Sequence, residues 1–282
     1  MKKNKIKYVI LAIFLVFFNI FCVFLSFNKT NIKVYASEND KNITSAKSMI
    51  TIESNTNRIL YSKNEKERLP MASTTKIITA IVAIENCKNL DKKHKIPENS
   101  VGIEGSSIYL RKNEHLSIRE LLYGLMLRSG NDSAVAIAII ISGSVENFVK
   151  LMNEFCLNLG LKDTHIVTVN GLHDDNHYTT AYDLALITSY ALKNKTFSKI
   201  VATKSTNIAD ENSKSGVRYL KNKNKLLKLV DGADGVKTGY TRKAGRCFVG
   251  SATRNKMKVI CVVLDCVPMF EDSAILIEKA FK

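Results

Sequence analysis

The pattern of apolar and polar positions divides the chain into strands at both ends of its folded part and helices between. Ser48–Ser54 and Arg58–Ser62 read as two strands joined by the turn Asn55-Thr56-Asn57. After Pro70, apolar residues recur at helical spacing over Thr74–Glu85, which predicts a helix, and Asn86–Asn99 reads as a charged loop. Ser117–Leu127 is amphipathic, whereas Ser133–Ile141 is apolar nearly all round and is expected to be buried. Ser144–Leu159 predicts a third helix, closed by Gly160. Thr180-x-x-Asp183 resembles a capping box and opens the helix Ala181–Leu192. Val236–Thr238, Arg246–Thr253 and Met257–Asp265 read as strands, and Asp272–Phe281 as a helix. This order fits a sheet whose terminal segments pair around an inserted helical block. It argues against a repeating βαβ parallel sheet.

The first 36 residues follow a different pattern. Met1–Lys7 is basic, Tyr8–Phe27 is an uncharged and mostly apolar run, and Val34-Tyr35-Ala36 is a small-residue cleavage pattern before Ser37. That order predicts a secretory signal peptide over residues 1–36. The alternative is an uncleaved anchor, because twenty residues rise ~30 Å, enough to cross a bilayer. Both readings place the rest of the chain outside the cytoplasm, with membrane attachment through the N-terminal segment in the second. Residues 37–47 read as a polar linker, and 48–282 as one folded domain.

Composition adds charge. The 42 Lys+Arg against 26 Asp+Glu give +16, and six of the basic residues precede Ser37 with no acid among them, so the remainder carries +10. Such a surface suits anionic polymers or is simply solvated. No RNP motif, zinc spacing or helix-turn-helix signature accompanies it, so a nucleic-acid partner is not expected. Of the six cysteines, Cys22 lies in the apolar run, leaving five after it and no CxxC. Buried free thiols are the expected state, with a Cys247–Cys261 or Cys247–Cys266 bridge as the alternative.

Three short motifs carry chemistry. In Ser73-Thr74-Thr75-Lys76 the serine stands at a helix start and the lysine three residues on, which places both side chains on one face. A serine hydroxyl needs a base. A lysine serves as one only when burial or neighbouring cations lower its pKa. The helix N-terminus also offers the Ser73 amide to a developing oxyanion. In Ser129-Gly130-Asn131 the hydroxyl can relay a proton between Lys76 and a leaving group, and the Asn131 amide can bind substrate and hold Lys76. In Lys237-Thr238-Gly239 the lysine places a cation beside the site, and the threonine can bind a carboxylate. The glycine admits close approach of a substrate backbone, and the amide of Tyr240 can complete the oxyanion hole. Singly each motif reads equally well as a cap, a turn or a strand lysine.

In this order the three motifs belong to the pattern of penicillin-recognising serine enzymes. The chain resembles the serine-type D-alanyl-D-alanine carboxypeptidases, the low-molecular-mass penicillin-binding proteins, from about Ser48 to about Leu264. The surrounding text carries the resemblance too: Leu69-Pro70-Met71-Ala72 before Ser73, Leu127-Arg128 before Ser129, Asp234-Gly235-Val236 before Lys237, and Gly171-Leu172-His173 with His177-Tyr178-Thr179-Thr180-Ala181-Tyr182-Asp183.

That resemblance implies an α+β, β-lactamase/DD-peptidase-like fold, a five-stranded antiparallel sheet flanked by helices with an inserted helical subdomain. It implies attack by Ser73 on the penultimate D-Ala of a peptidoglycan stem peptide, with Lys76 as base and Ser129 as shuttle. The amides of Ser73 and Tyr240 hold the oxyanion, and Lys237 and Thr238 fix the terminal carboxylate. Asn131 and Gly239 complete the substrate site, β-lactams become covalent inhibitors, and no metal or organic cofactor is needed.

The pattern departs at two points. Many relatives continue into a β-rich domain and an amphipathic helix, neither of which is expected in a chain ending at Lys282. Relatives often carry glycines and an arginine after the last strand, where this chain reads Leu264-Asp265-Cys266-Val267-Pro268-Met269-Phe270-Glu271-Asp272. An auxiliary carboxylate-binding arginine is therefore expected to be missing.

His173 and His177 flank Asp174 and Asp175, a zinc-like spacing without a third ligand, and read as loop structure. A class A-like β-lactamase would need an E-x-x-x-N loop between Asn131 and Lys237, which is lacking. A weakly catalytic or non-catalytic wall-binding protein, and an endopeptidase or transpeptidase, are the other readings.

Overall fold

The computed structural model describes residues 44–211 and 213–282. The leader expected over residues 1–36, the first part of the linker and Cys22 lie outside the described residues. Strands β1 (Ser48–Glu53) and β2 (Arg58–Lys63) form the expected hairpin. Helix α1 (Lys76–Asn86) follows a 3-10 turn over Ala72–Thr75. The charged loop contains one short strand, β3 (Lys93–Lys95), which pairs with β4 (His115–Ser117). The helical block is α2 (Ile118–Arg128), α3 (Asn131–Ser142), α4 (Val145–Asn158), α5 (Ala181–Lys193) and α6 (Lys195–Ala202). A second hairpin, β5 (Ser205–Ala209) and β6 (Val217–Lys221), and the single turn α7 (Leu226–Leu229) lead into β7 (Ala233–Thr241). The chain closes with β8 (Gly245–Arg254), β9 (Met257–Leu264) and α8 (Met269–Ala280).

The main sheet is antiparallel with the order β2-β1-β9-β8-β7. Ser48 pairs with Leu264 and Glu53 with Val259, so the first strand lies beside the last. Period-two alternation sends side chains to two different cores. Met49, Phe248, Val259, Cys261 and Val263 pack with Leu276 and Ile277 of α8 on one face. Ile50, Ile52, Val249, Ile260 and Val262 pack against the helical block on the other. Both faces are thus covered, and β7 remains as an edge strand. The fold expected from the family resemblance is the one observed.

Local signals act where the sequence places them. Ser117 accepts from Glu120 N, and Glu120 in turn accepts from Ser117 N at 2.8 Å, a complete capping box for α2. Thr180 caps α5 by accepting from Asp183 N. After α4, Gly160 N donates to Leu157 O and Leu161 N to Cys156 O, the paired bonds of a Schellman motif, with Gly160 at φ +74°. Thr44–Lys47, expected as the end of a loose polar segment, is docked instead. Thr44 Oγ1 and Ser45 N both donate to Asp272 Oδ2, at 2.9 and 2.8 Å, and Ala46 is buried. Cys87, Cys156, Cys247, Cys261 and Cys266 are all free thiols. Burial pushes Cys247 and Cys261 up to about 12, which keeps them unreactive.

Candidate active site

Three segments far apart in sequence converge beside the edge strand. Ser73 lies in the 3-10 turn, and Lys76 is the first residue of α1. Lys76 is fully buried and donates from Nζ to Ser73 Oγ at 2.9 Å, to Asn131 Oδ1 at 2.8 Å and to the Asn170 carbonyl. Burial pushes the Lys76 pKa well below the ordinary lysine value, and the positive charges of Lys237 and Lys223 push it further. Asp132 acts weakly in the opposite sense. The ammonium is thus destabilised relative to the free amine that a proton acceptor requires.

Ser129 ends α2 in the left-handed region, at φ +64°. Few non-glycine residues sit there, and the conformation turns the chain directly from α2 into α3. The Ser129 hydroxyl accepts from Lys237 Nζ at 3.0 Å. Lys237 is buried on β7 and also donates to the Thr238 carbonyl at 2.6 Å. Burial, followed by the charge of Lys223, lowers its pKa to about 7. Asn131 opens α3, and its Nδ2 donates to the Glu104 carbonyl at 2.6 Å, so both ends of the amide are fixed. Asp132 accepts from Ile108 N and Leu110 N, both at 3.1 Å, and anchors the neighbouring loop to α3.

Two glycines permit this convergence. A Cβ on Gly239 would stand 3.0 Å from Ser73 N, so β7 runs against the turn that carries the nucleophile. A Cβ on Gly171, at φ +80°, would stand 2.0 Å from the Ala72 carbonyl oxygen. Only glycine lets the Asn170 carbonyl reach Lys76. Ser73, Ser129, Thr238, Gly239 and Tyr240 line one cleft of about 280 Å³ with Ser106, Lys223, Arg246, Met269 and Phe270. The cleft holds every sequence-predicted site residue except Lys76, Asn131 and Lys237, which are buried and tied to its serines directly or through Lys76.

The arrangement can perform acyl transfer: a hydroxyl beside an amine of depressed pKa, a second hydroxyl held by Lys237, and backbone N–H groups of an edge strand next to the nucleophile.

A D-alanyl-D-alanine carboxypeptidase family model, peptidase S11, matches residues 34–267. The chain belongs to this family. Its S11 relatives include the D-alanyl-D-alanine carboxypeptidase DacF of Bacillus subtilis, 39% identical over 222 residues, 77% of this chain and 57% of that protein. The D-alanyl-D-alanine carboxypeptidase of Streptomyces sp. strain K15 is 38% identical over 223 residues, 74% of this chain and 77% of that one. Among solved structures, the Streptomyces K15 DD-transpeptidase superposes with a TM-score of 0.80 at 35% identity, covering 84% of this chain and 97% of the other. The D-alanyl-D-alanine carboxypeptidase of Mycobacterium tuberculosis gives 0.79 at 28% identity, covering 84% and 90%. The chain spans little more than half of the length of the DacF relative.

Several residues that meet at the cleft are not evident from the motifs. Asn170 acts through its backbone carbonyl, which every residue type possesses. Lys223 and Arg246 look like two more cations in a basic chain. The β7–β8 register pairs Arg246 with Tyr240, and its guanidinium lies 5.6 Å from the Tyr240 ring. It brings an arginine to the cleft from β8, although the segment after β9 has none.

His177 is structural. Its Nδ1 accepts from Val167 N at 3.0 Å, which leaves Nε2–H to donate to Thr75 Oγ1 at 2.8 Å. Thr75 Oγ1 donates to the Ala72 carbonyl at 2.7 Å, tying the loop to the nucleophile's turn. Burial lowers the His177 pKa to about 4, against 6.5 when unfolded. Between those values the unfolded chain binds a proton that the folded chain refuses. Stability is therefore expected to fall by on the order of 3 kcal/mol as pH drops from about 6.5 to 4. Urea titrations across that range measure the decline, and a flat profile would remove this role.

Proposed function

We propose that the protein is a serine D-Ala-D-Ala carboxypeptidase that trims peptidoglycan stem peptides outside the cytoplasm. The observation that carries the reading is the 2.9 Å contact from a fully buried, charge-disfavoured Lys76 to Ser73 Oγ. Lys76 as free amine takes the hydroxyl proton while Ser73 Oγ bonds to the penultimate D-Ala carbonyl carbon. The amides of Ser73 and Tyr240 receive the oxyanion. The scissile C–N bond breaks, and Ser129 relays a proton to the departing D-Ala amine. Lys237 and Thr238 hold the terminal carboxylate, with Asn131 and Gly239 shaping the bound backbone. Water then cleaves the acyl-enzyme. β-Lactams enter the same path and stall at the acyl stage. The N-terminal segment directs export, as a cleaved leader or a retained anchor.

None of the hydrogen bonds made by Ser73 or Lys76 goes to a carboxylate among the described residues. That favours a slow-deacylating peptidase over a class A-like β-lactamase. The intact mass after penicillin treatment, followed over hours, tests the reading together with D-Ala release from a pentapeptide. A long-lived adduct on Ser73 and D-Ala release support it. A folded protein with no adduct refutes it and leaves the wall-binding alternative.

The pH profile of kcat/KM is expected to be bell-shaped. The rising limb reports loss of the Lys76 proton, and the falling limb, near pH 7, loss of the Lys237 charge. Lys223 lowers both groups. Removing its charge favours both ammonium forms, so Lys223→Gln is expected to move both limbs to higher pH. A profile whose limbs stay in place, or move apart, contradicts the electrostatic account.

A further inference from the structure

We propose that a groove beside the catalytic cleft docks a linear phosphodiester polyanion, whose phosphate oxygens accept from Asn224 Nδ2 among the side chains of Arg128, Lys221, Lys223, Lys225 and Lys228. The groove has a volume of about 490 Å³ and is completed by Asn222 and Leu229. No acidic residue lines it. Another surface cleft differs, because it sets Glu154 beside Lys150 and Lys162. None of the five cations has a carboxylate partner among the described residues, whereas Arg68, Arg119, Arg218, Arg254 and Lys258 all do. Converging like charges repel one another, and a polyanion relieves that cost.

Asn224 supplies an independent observation. It is only 5% exposed, and its Oδ1 accepts from Leu226 N at 2.9 Å, which fixes the orientation of the amide. Its Nδ2 is a buried donor without a partner among the described residues. Such a group is costly unless it is satisfied, and an anionic oxygen satisfies it. Five cations exceed what the few carboxylates of a stem peptide can neutralise, and most of them are exposed, which suits a flexible repeating chain. Lys223 lines both the groove and the catalytic cleft, so a docked polymer would run up to the site of chemistry.

The test is binding of a fluorescent glycerol-phosphate oligomer to the full chain. Raising salt from about 50 to about 200 mM is expected to weaken binding at least ~10-fold. Asn224→Asp keeps an acceptor for Leu226 N and replaces the free donor with a negative charge. It is expected to weaken binding by about ten-fold, as is the triple variant Lys221→Gln, Lys225→Gln, Lys228→Gln. Both variants should keep the penicillin adduct, which certifies their folding; if one fails to fold, the other decides. Lys193→Gln, Lys195→Gln, Lys199→Gln removes the same charge from exposed sites on α5 and α6 and should change binding little. Unchanged binding in the groove variants overturns the proposal. So does equal loss in the α5–α6 control, or competition by poly-glutamate as effective as that by the phosphate oligomer.

Discussion

Ser73→Ala is expected to yield a folded protein that forms no penicillin adduct and releases D-Ala more slowly by roughly 10⁴- to 10⁶-fold. Ser73 Oγ is the only hydroxyl that Lys76 Nζ contacts among the described residues, at 2.9 Å, and the 3-10 turn sets it against the edge of β7. No neighbouring group can take over, because the Ser129 hydroxyl is held by Lys237 instead. The loss should fall on kcat while substrate binding persists, since Lys237, Thr238 and Asn131 stay in place. Intact-mass spectrometry and a D-Ala release assay on the same preparation check this. A variant that still acylates elsewhere would falsify the assignment of the nucleophile.

Lys76→Met should have nearly as large an effect on rate and an opposite effect on stability. Without the amine, acylation is expected to slow by about 10³- to 10⁴-fold. A double variant with Ser73→Ala should be no slower than Ser73→Ala alone, because the two side chains act as one unit. Meanwhile a long cationic side chain is exchanged for an apolar one of similar shape in a fully buried place. Met carries none of the desolvation and like-charge cost that depresses the lysine pKa. The melting temperature is expected to rise, a trade of function against stability common at active sites. Adduct-formation rates and thermal unfolding on one sample decide it, and a variant that is both slow and markedly less stable would contradict the account of Lys76 as a strained base.

Much of this protein is legible in its sequence, for identifiable reasons. The sheet strands and the helices α1 to α5 carry long apolar patterns or caps, and the patterns survive folding because tertiary packing buries the same faces. The β5–β6 hairpin is not legible. Its strands bury little beyond Ile208 and Leu220, and seven residues, Asp210–Gly216, separate them. Helix α6 is hidden because Asn194 serves both as the end of α5 and as the cap of the next helix. The strand Lys93–Lys95 holds no apolar residue and exists through its pairing with β4. At the site, Ser73, Lys76, Ser129 and Lys237 stand out because their chemistry needs those side chains. The Asn170 carbonyl, Lys223 and Arg246 do not, since only the fold brings them to the cleft.

The pairing of β1 with β9 has a temporal meaning. During synthesis Ser73 is made long before Lys237, and β9, the strand that must lie between β1 and β8, emerges later still. Closing a loop of that length makes assembly late and slow. A chain still under construction carries a nucleophile without its electrostatic surroundings and is inert toward acyl donors. Competence for acylation is therefore a clock for assembly of this sheet: labelling by a fluorescent penicillin would start only when β9 has been inserted between β1 and β8.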